Sequence, residues 1–150
     1  MASYLAEHPA KVKEVVEAQA RILGEDAALA PKYASFLRGI EKELPLRVST
    51  VFTDTDMSYT TTVTLTPAGL PHLEVSYPAD EHAKVKMRGT LEDMHALYSG
   101  AMSSSTLLMR RRLALDAPVA LGMKFAPALT LLVKAYQKAC IEVGVPLAGK

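Results

Sequence analysis

Tryptophan is absent from the 150 residues, phenylalanine occurs three times and cysteine once. With Cys140 as the only thiol, no intramolecular disulfide can form, and a reducing cytoplasm is the expected setting. The amino terminus lacks the basic segment and continuous apolar core of a secretory signal. No uninterrupted apolar run approaches the roughly 20 residues of a membrane-spanning helix, so any membrane contact is expected to be peripheral. An excess of one charge is missing as well. Seventeen Lys plus Arg against sixteen Asp plus Glu leave a net charge of +1, which gives no whole-molecule attraction to nucleic acid. There is no glycine-rich phosphate loop and no dinucleotide fingerprint, so a nucleotide-dependent enzyme is disfavoured and no cofactor is expected.

Catalytic and metal-binding patterns are equally scarce. His8, His72, His82 and His95 are scattered without the helical spacing of a two-histidine metal site. Asp54 and Asp56 lie in a turn without the calcium-loop pattern. Ser103, Ser104 and Ser105 lack a glycine-flanked nucleophile elbow and read as a polar loop or helix start. Cys140 falls on an apolar helical stripe, where a thiol behaves as a small hydrophobe. The chain is therefore read as non-enzymatic.

What is present is material for a core. Hydrophobic residues make up 49% and charged residues 22%, as in globular proteins. At this length one domain over residues 1–150 is expected, burying roughly 70% of the surface its unfolded chain exposes. Val12, Val15, Val16, Ile22 and Leu23 recur at helical spacing up to Gly24, and Leu29, Tyr33, Phe36, Leu37, Ile40 and Leu44 do so up to Pro45. These predict a helical hairpin over 1–45. From Leu46 the period becomes two. Strands are predicted around Val48 to Phe52, Tyr59 to Leu65, Leu73 to Tyr77 and Ala83 to Met87, arranged as an antiparallel meander with one wet face.

Thr90 is placed to cap a helix, with Asp93 three residues on and Gly100 as its stop. A fifth strand near Arg111 to Leu115 follows, and then a long helical pattern from Val119 to Val143 that Pro127 should kink or divide. The tail from Pro146 to Lys150 is expected to fray. Arg110, Arg111 and Arg112 are the densest positive charge and suit a phosphate, a carboxylate headgroup or an anionic membrane surface. In a strand, Arg111 would point away from the other two. Lys84, Lys86 and Arg88 share one strand face, where such charges also serve simply to discourage edge aggregation.

The segment LMRRRLALDAPVALGMKF, Leu108 to Phe125, resembles the sterol carrier protein 2 family, in which a helix and a glycine precede a pattern close to FMxGKLKIxGxMxxAMKL. Met109 takes the family methionine and Arg112 its basic residue. Leu113 and Leu115 take its apolar strand positions, and Met123 and Lys124 the end of the motif. Upstream, GTLEDMHALYSG from Gly89 to Gly100 is similar to the family's helix and closing glycine. Arg111 and Ala117 stand where the family usually has glycines, so a positive φ should be hard to reach there.

The resemblance implies an α+β fold: about five strands in a twisted, mixed or antiparallel sheet, helices on one face, and an apolar tunnel between the layers. It implies that Met94, Leu97, Met102, Leu107, Met109, Leu113, Leu115, Met123, Phe125 and Leu129 line that tunnel. Read from pattern alone, the same residues describe an ordinary closed core. The function expected is binding or transfer of an apolar small molecule or lipid, whether fatty acyl, phospholipid, isoprenoid or sterol-like. The alternative is an interaction or accessory module in a lipid or quinone pathway, its cavity small or filled and its amino-terminal hairpin either pairing two copies into a homodimer or holding a partner protein.

Overall fold

A computed structural model describes residues 4–149. Six helices and five strands follow one another along the chain: α1 (Tyr4–Glu7), α2 (Pro9–Glu25), α3 (Leu29–Arg38), β1 (Leu46–Phe52), β2 (Ser58–Leu65), β3 (Pro71–Ser76), β4 (Val85–Gly89), α4 (Leu91–Ser99), α5 (Ser104–Met109), β5 (Leu113–Asp116) and α6 (Val119–Val143). This is the expected α+β architecture, with a five-stranded mixed sheet and α2, α3, α4 and α6 packed together over one face.

The strand order is β3-β2-β1-β4-β5. β1, β2 and β3 form the predicted antiparallel meander, with Val48 opposite Thr61 and Val63 opposite Leu73. β4 departs from it. Rather than continuing beside β3, it crosses to the far side of β1 and pairs with it in parallel, Val48 opposite Val85. The crossing segment, from Tyr77 to Lys84, is fastened to the outer sheet face: Ser49 Oγ donates to the Asp80 carbonyl (2.6 Å), Asp80 N–H donates to Thr60 Oγ1 (2.7 Å) and Arg47 pairs with the Asp80 carboxylate (2.6 Å). Alternation alone cannot specify which edge a strand joins; here polar side chains on the supposedly wet face hold the crossover. Ser49 and Thr60 are consequently buried, with their hydroxyls satisfied.

The inner face carries Leu46, Val48, Thr50 and Phe52 of β1, Tyr59, Thr61 and Val63 of β2, and Val85 and Met87 of β4, as period two requires. α2 approaches β3 so closely that a Cβ at Gly24 would stand 2.9 Å from the Pro71 carbonyl oxygen, a fit open only to glycine. α4 starts and stops as its sequence predicts: Thr90 Oγ1 accepts from Asp93 N–H (3.1 Å), and Gly100 adopts a φ of 86°. The Asp93 carboxylate is engaged by the Arg112 guanidinium, tying α4 to the start of β5.

α6 runs through Pro127 as one helix, although the pyrrolidine removes the hydrogen bond to the Met123 carbonyl. By length and hydropathy α6 is long and apolar enough to cross a membrane, although Lys124, Lys134 and Lys138 interrupt its apolar run. In the fold it packs along α2, with Ala128, Ala135, Tyr136, Ala139 and Cys140 buried. The tail after α6 is docked, not frayed: His95 Nε2–H donates to the Pro146 carbonyl (2.9 Å) and Ala148 N–H to Ser99 Oγ (3.0 Å). Lys150 lies outside the described residues.

Candidate functional site

Between the sheet and the helices lies an apolar cavity of about 230 Å³. Its floor is the inner sheet face, contributed by Val48, Thr61, Val63, Leu73, Val85 and Met87. Its roof comes from α2 and α6, where Val16, Ala20 and Leu23 face Phe125, Leu129 and Leu132. The α6 residues recur at the three- and four-residue spacing that puts them on one stripe. Gly122 is on the same stripe, and a Cβ there would meet nothing within 4 Å.

The electrostatics are those of a neutral chamber. No Asp, Glu, Lys, Arg, His or Cys belongs to the wall. Its ionisable groups are Tyr33, Tyr59 and Tyr98, and burial pushes all three phenols up, Tyr59 to about 12, so they remain neutral hydroxyls. Gln19 spends its amide on the Leu132 carbonyl (3.0 Å), and Tyr98 donates to the Met87 sulfur (3.7 Å). An ionised carboxylate or phosphate inside would find no counter-charge. This wall can solvate hydrocarbon.

Of the ten residues the sequence nominated, Leu97, Leu113, Leu115, Phe125 and Leu129 are in the wall. Met94 turns the other way, onto a separate void of about 20 Å³ bounded by Leu5, Phe52 and Tyr136. Leu107 is fully buried beneath α5, and Met102 packs partly buried against the core, both off the cavity wall. Met109 and Met123 do not face inward at all, being 85% and 74% exposed. Met109 ends α5, and Met123 follows Gly122 on α6, one residue and so about a quarter-turn off the inward stripe.

Sequence reasoning missed the wall residues from α2, α3 and the first three strands. Their inward periodicity was legible, but which of those inward faces look onto a void is a property of how the layers stack.

The arginine triplet is not a strand. It forms the turn from α5 into β5, with Arg111 at a φ of 57°, the only non-glycine residue with positive φ among those described. A side chain is expected to make this conformation hard to reach, and Arg111 reaches it nonetheless. The α5–β5 turn is fixed on both sides, by Arg112 N–H donating to the Leu107 carbonyl (2.9 Å) and the Arg112 guanidinium on Asp93. Arg111 therefore holds, at the cost of backbone strain, a conformation that glycine adopts freely.

The model of the SCP-2 sterol transfer family matches residues 50–130, more than half of the chain. No curated protein matches the chain. Among solved structures, a crystal structure of sterol carrier protein 2 is similar with a TM-score of 0.56 at 16% identity, over 83% of this chain and 94% of that one. A conserved hypothetical protein of Thermus thermophilus, described as a candidate sterol carrier protein, gives 0.55 at 14% identity over 83% and 85%. The UbiJ-SCP2 ubiquinone synthesis protein gives 0.55 at 12% identity over 86% and 98%. At these identities the likeness is one of fold.

Proposed function

Since the chain belongs to the SCP-2 sterol transfer family, we propose that it is a non-enzymatic carrier that holds the hydrocarbon part of a lipid in the cavity between sheet and helices. The observation that carries this reading is the uncharged wall around about 230 Å³ of space. Each methylene moved there from water gains about 0.8 kcal/mol, which is ample for an acyl or isoprenoid chain after immobilisation costs. The volume lies just under the roughly 300–1,000 Å³ typical of pockets for drug-sized molecules, so the cavity as it stands takes part of a lipid and not the whole of it. A charged headgroup would remain at the mouth, near Arg110 and Arg111. The seat is proposed as Leu97, Leu113, Leu115, Phe125 and Leu129 with the sheet residues beneath them.

Residues 1–150 are read as one functional unit, because the helices before Pro45 supply Val16, Gln19, Ala20, Leu23 and Tyr33 to the same wall as the sheet. A reducing, cytoplasmic setting suits the single buried thiol. A second reading, an accessory module of a quinone or lipid pathway with a filled cavity, is favoured by the fold likeness to a ubiquinone synthesis protein.

The test is uptake of a fluorescent fatty acid, with native mass spectrometry of the purified protein to detect a retained lipid. Gly122→Trp places a ring in open space beside the wall and should reduce uptake by roughly tenfold or more while leaving the circular dichroism unchanged. A wild-type protein that is empty and takes up no probe moves the conclusion to the accessory module.

A further inference from the structure

Eight large apolar side chains are conspicuously exposed among the described residues, and five of them, Leu108, Met109, Leu115, Val119 and Met123, fall within sixteen consecutive positions. Leu108 and Leu115 also belong to the cavity wall, so this stretch is the rim of the cavity's mouth. Scattered exposed leucines need no explanation; a cluster around a cavity mouth does. Val119 and Met123 are one turn apart on the outer side of α6, 80% and 74% exposed, and Met109 stands at the tip of α5, 85% exposed.

The charges beside the two exposed methionines are positive. Arg110 and Arg111 follow Met109, and Lys124 follows Met123. No ion pair holds any of the three among the described residues; Lys124 reaches only the Gly39 carbonyl, at 3.5 Å. Arg112 is spoken for by Asp93. Asp116 is the one carboxylate between Leu108 and Lys124, and Lys86 stands opposite it in the sheet register. A second copy of the chain is a poor occupant, since a two-fold contact through this patch would press Arg110 and Arg111 against their own equivalents. A layer of anionic headgroups over hydrocarbon complements both the charge and the apolar tip.

We propose that the rim is a docking surface for an anionic phospholipid bilayer. Met109, Val119 and Met123 enter the upper acyl region, Arg110, Arg111 and Lys124 engage the phosphates, and the cavity mouth between them opens onto the lipid. The direction of opening rests on the carrier reading above; the docking itself does not. Basic residues at an anionic surface and a small apolar insertion act together, so either alone gives weak binding.

The experiment is flotation with vesicles of phosphatidylcholine alone and of phosphatidylcholine mixed with phosphatidylglycerol. The protein should float with the mixed vesicles, release as salt is raised, and ignore the neutral ones. Arg110→Gln and Arg111→Gln should each weaken partition about fivefold. Val119→Asp with Met123→Asp should abolish it. Ile141→Asp, a substitution at a 76% exposed position towards the other end of α6, should leave it unchanged.

Absence of flotation, equal flotation with both vesicles, or equal loss in the Ile141 variant overturns the proposal. So does light scattering that shows a dimer dissociated by Val119→Asp, since the rim would then be a self-interface. Fatty-acid uptake measured on the same variants without vesicles separates the two conclusions. Uptake without flotation overturns the docking surface alone, and flotation without uptake overturns the cavity reading alone.

Discussion

The two halves of α6 live in different surroundings: residues 119–132 border the cavity and residues 135–143 do not. Leu121 and Ala128 are the buried side chains of the first half, whereas Ala135, Tyr136, Ala139 and Cys140 are buried in the shorter second. The second half is closed in by α2 and α4. There Tyr136 donates to His95 Nδ1 (2.7 Å), and the other ring nitrogen of His95, as Nε2–H, holds the carboxy-terminal tail at Pro146. Burial lowers the His95 pKa and keeps the ring neutral in this arrangement. The first half has the cavity on one side and solvent on the other. Apolar composition alone therefore produced both a sealed core and an open mouth. What separates them is how many neighbouring elements reach each half.

The contrast is most sharply tested by adding volume. Ala139 is fully buried, so Ala139→Leu should overpack the closed half and cost about 1–3 kcal/mol in urea unfolding. The same change at Ala126, which is exposed at the cavity edge, should cost less than about 0.5 kcal/mol. Equal costs would mean the open half is packed as tightly as the closed one.

A smaller effect of opposite sign is expected at the mouth. Arg111→Gly removes a left-handed backbone penalty of about 1–2 kcal/mol while adding the flexibility cost of glycine, about 0.5–1 kcal/mol. A net stabilisation of about 0.5–1 kcal/mol should appear as a higher melting temperature. A loss of stability would show that Arg111 makes an interaction worth more than its strain.

The smallest expected effect concerns the tether of the closed half. The Asp26 carboxylate accepts from Lys138 Nζ (2.6 Å) and from Leu29 and Ala28 N–H (both 2.9 Å), which together lower its pKa to about 2. A depressed carboxylate pKa adds stability that is fully present above the unfolded value of about 4 and is lost as pH falls towards 2. Asp26→Asn should flatten that part of the stability profile and leave the rest unchanged. An unaltered acid limb would mean that solvent already screens the pair, as it does most surface ion pairs.

Much of this molecule is written locally. Val48, Thr50, Phe52 and their neighbours alternate because a strand has two faces, and Thr90 and Gly100 bound α4 by satisfying its terminal backbone groups. The motif from Leu108 to Phe125 carried the family without any knowledge of the fold. Half of the nominated lining was legible for the same reason: Leu97, Leu113, Leu115, Phe125 and Leu129 lie on inward faces set by strand or helix period. Met109 and Met123 were misplaced because methionine is equally at home in a wall and on an apolar surface, and a shift of one residue on a helix turns a side chain by about 100°. The docked tail was also hidden, since its hold depends on His95, forty or more residues away.

Sequence alone thus determined the element types, their order, the neutral apolar character of the interior and the family. The side of β1 that β4 joins, the positive φ of Arg111, the separation of cavity wall from exposed rim, and the closing of one half of α6 were decided only in three dimensions. Local patterns are set by backbone hydrogen bonding and side-chain period within a few residues. Voids, edges and mouths exist only where elements distant in sequence meet or fail to meet.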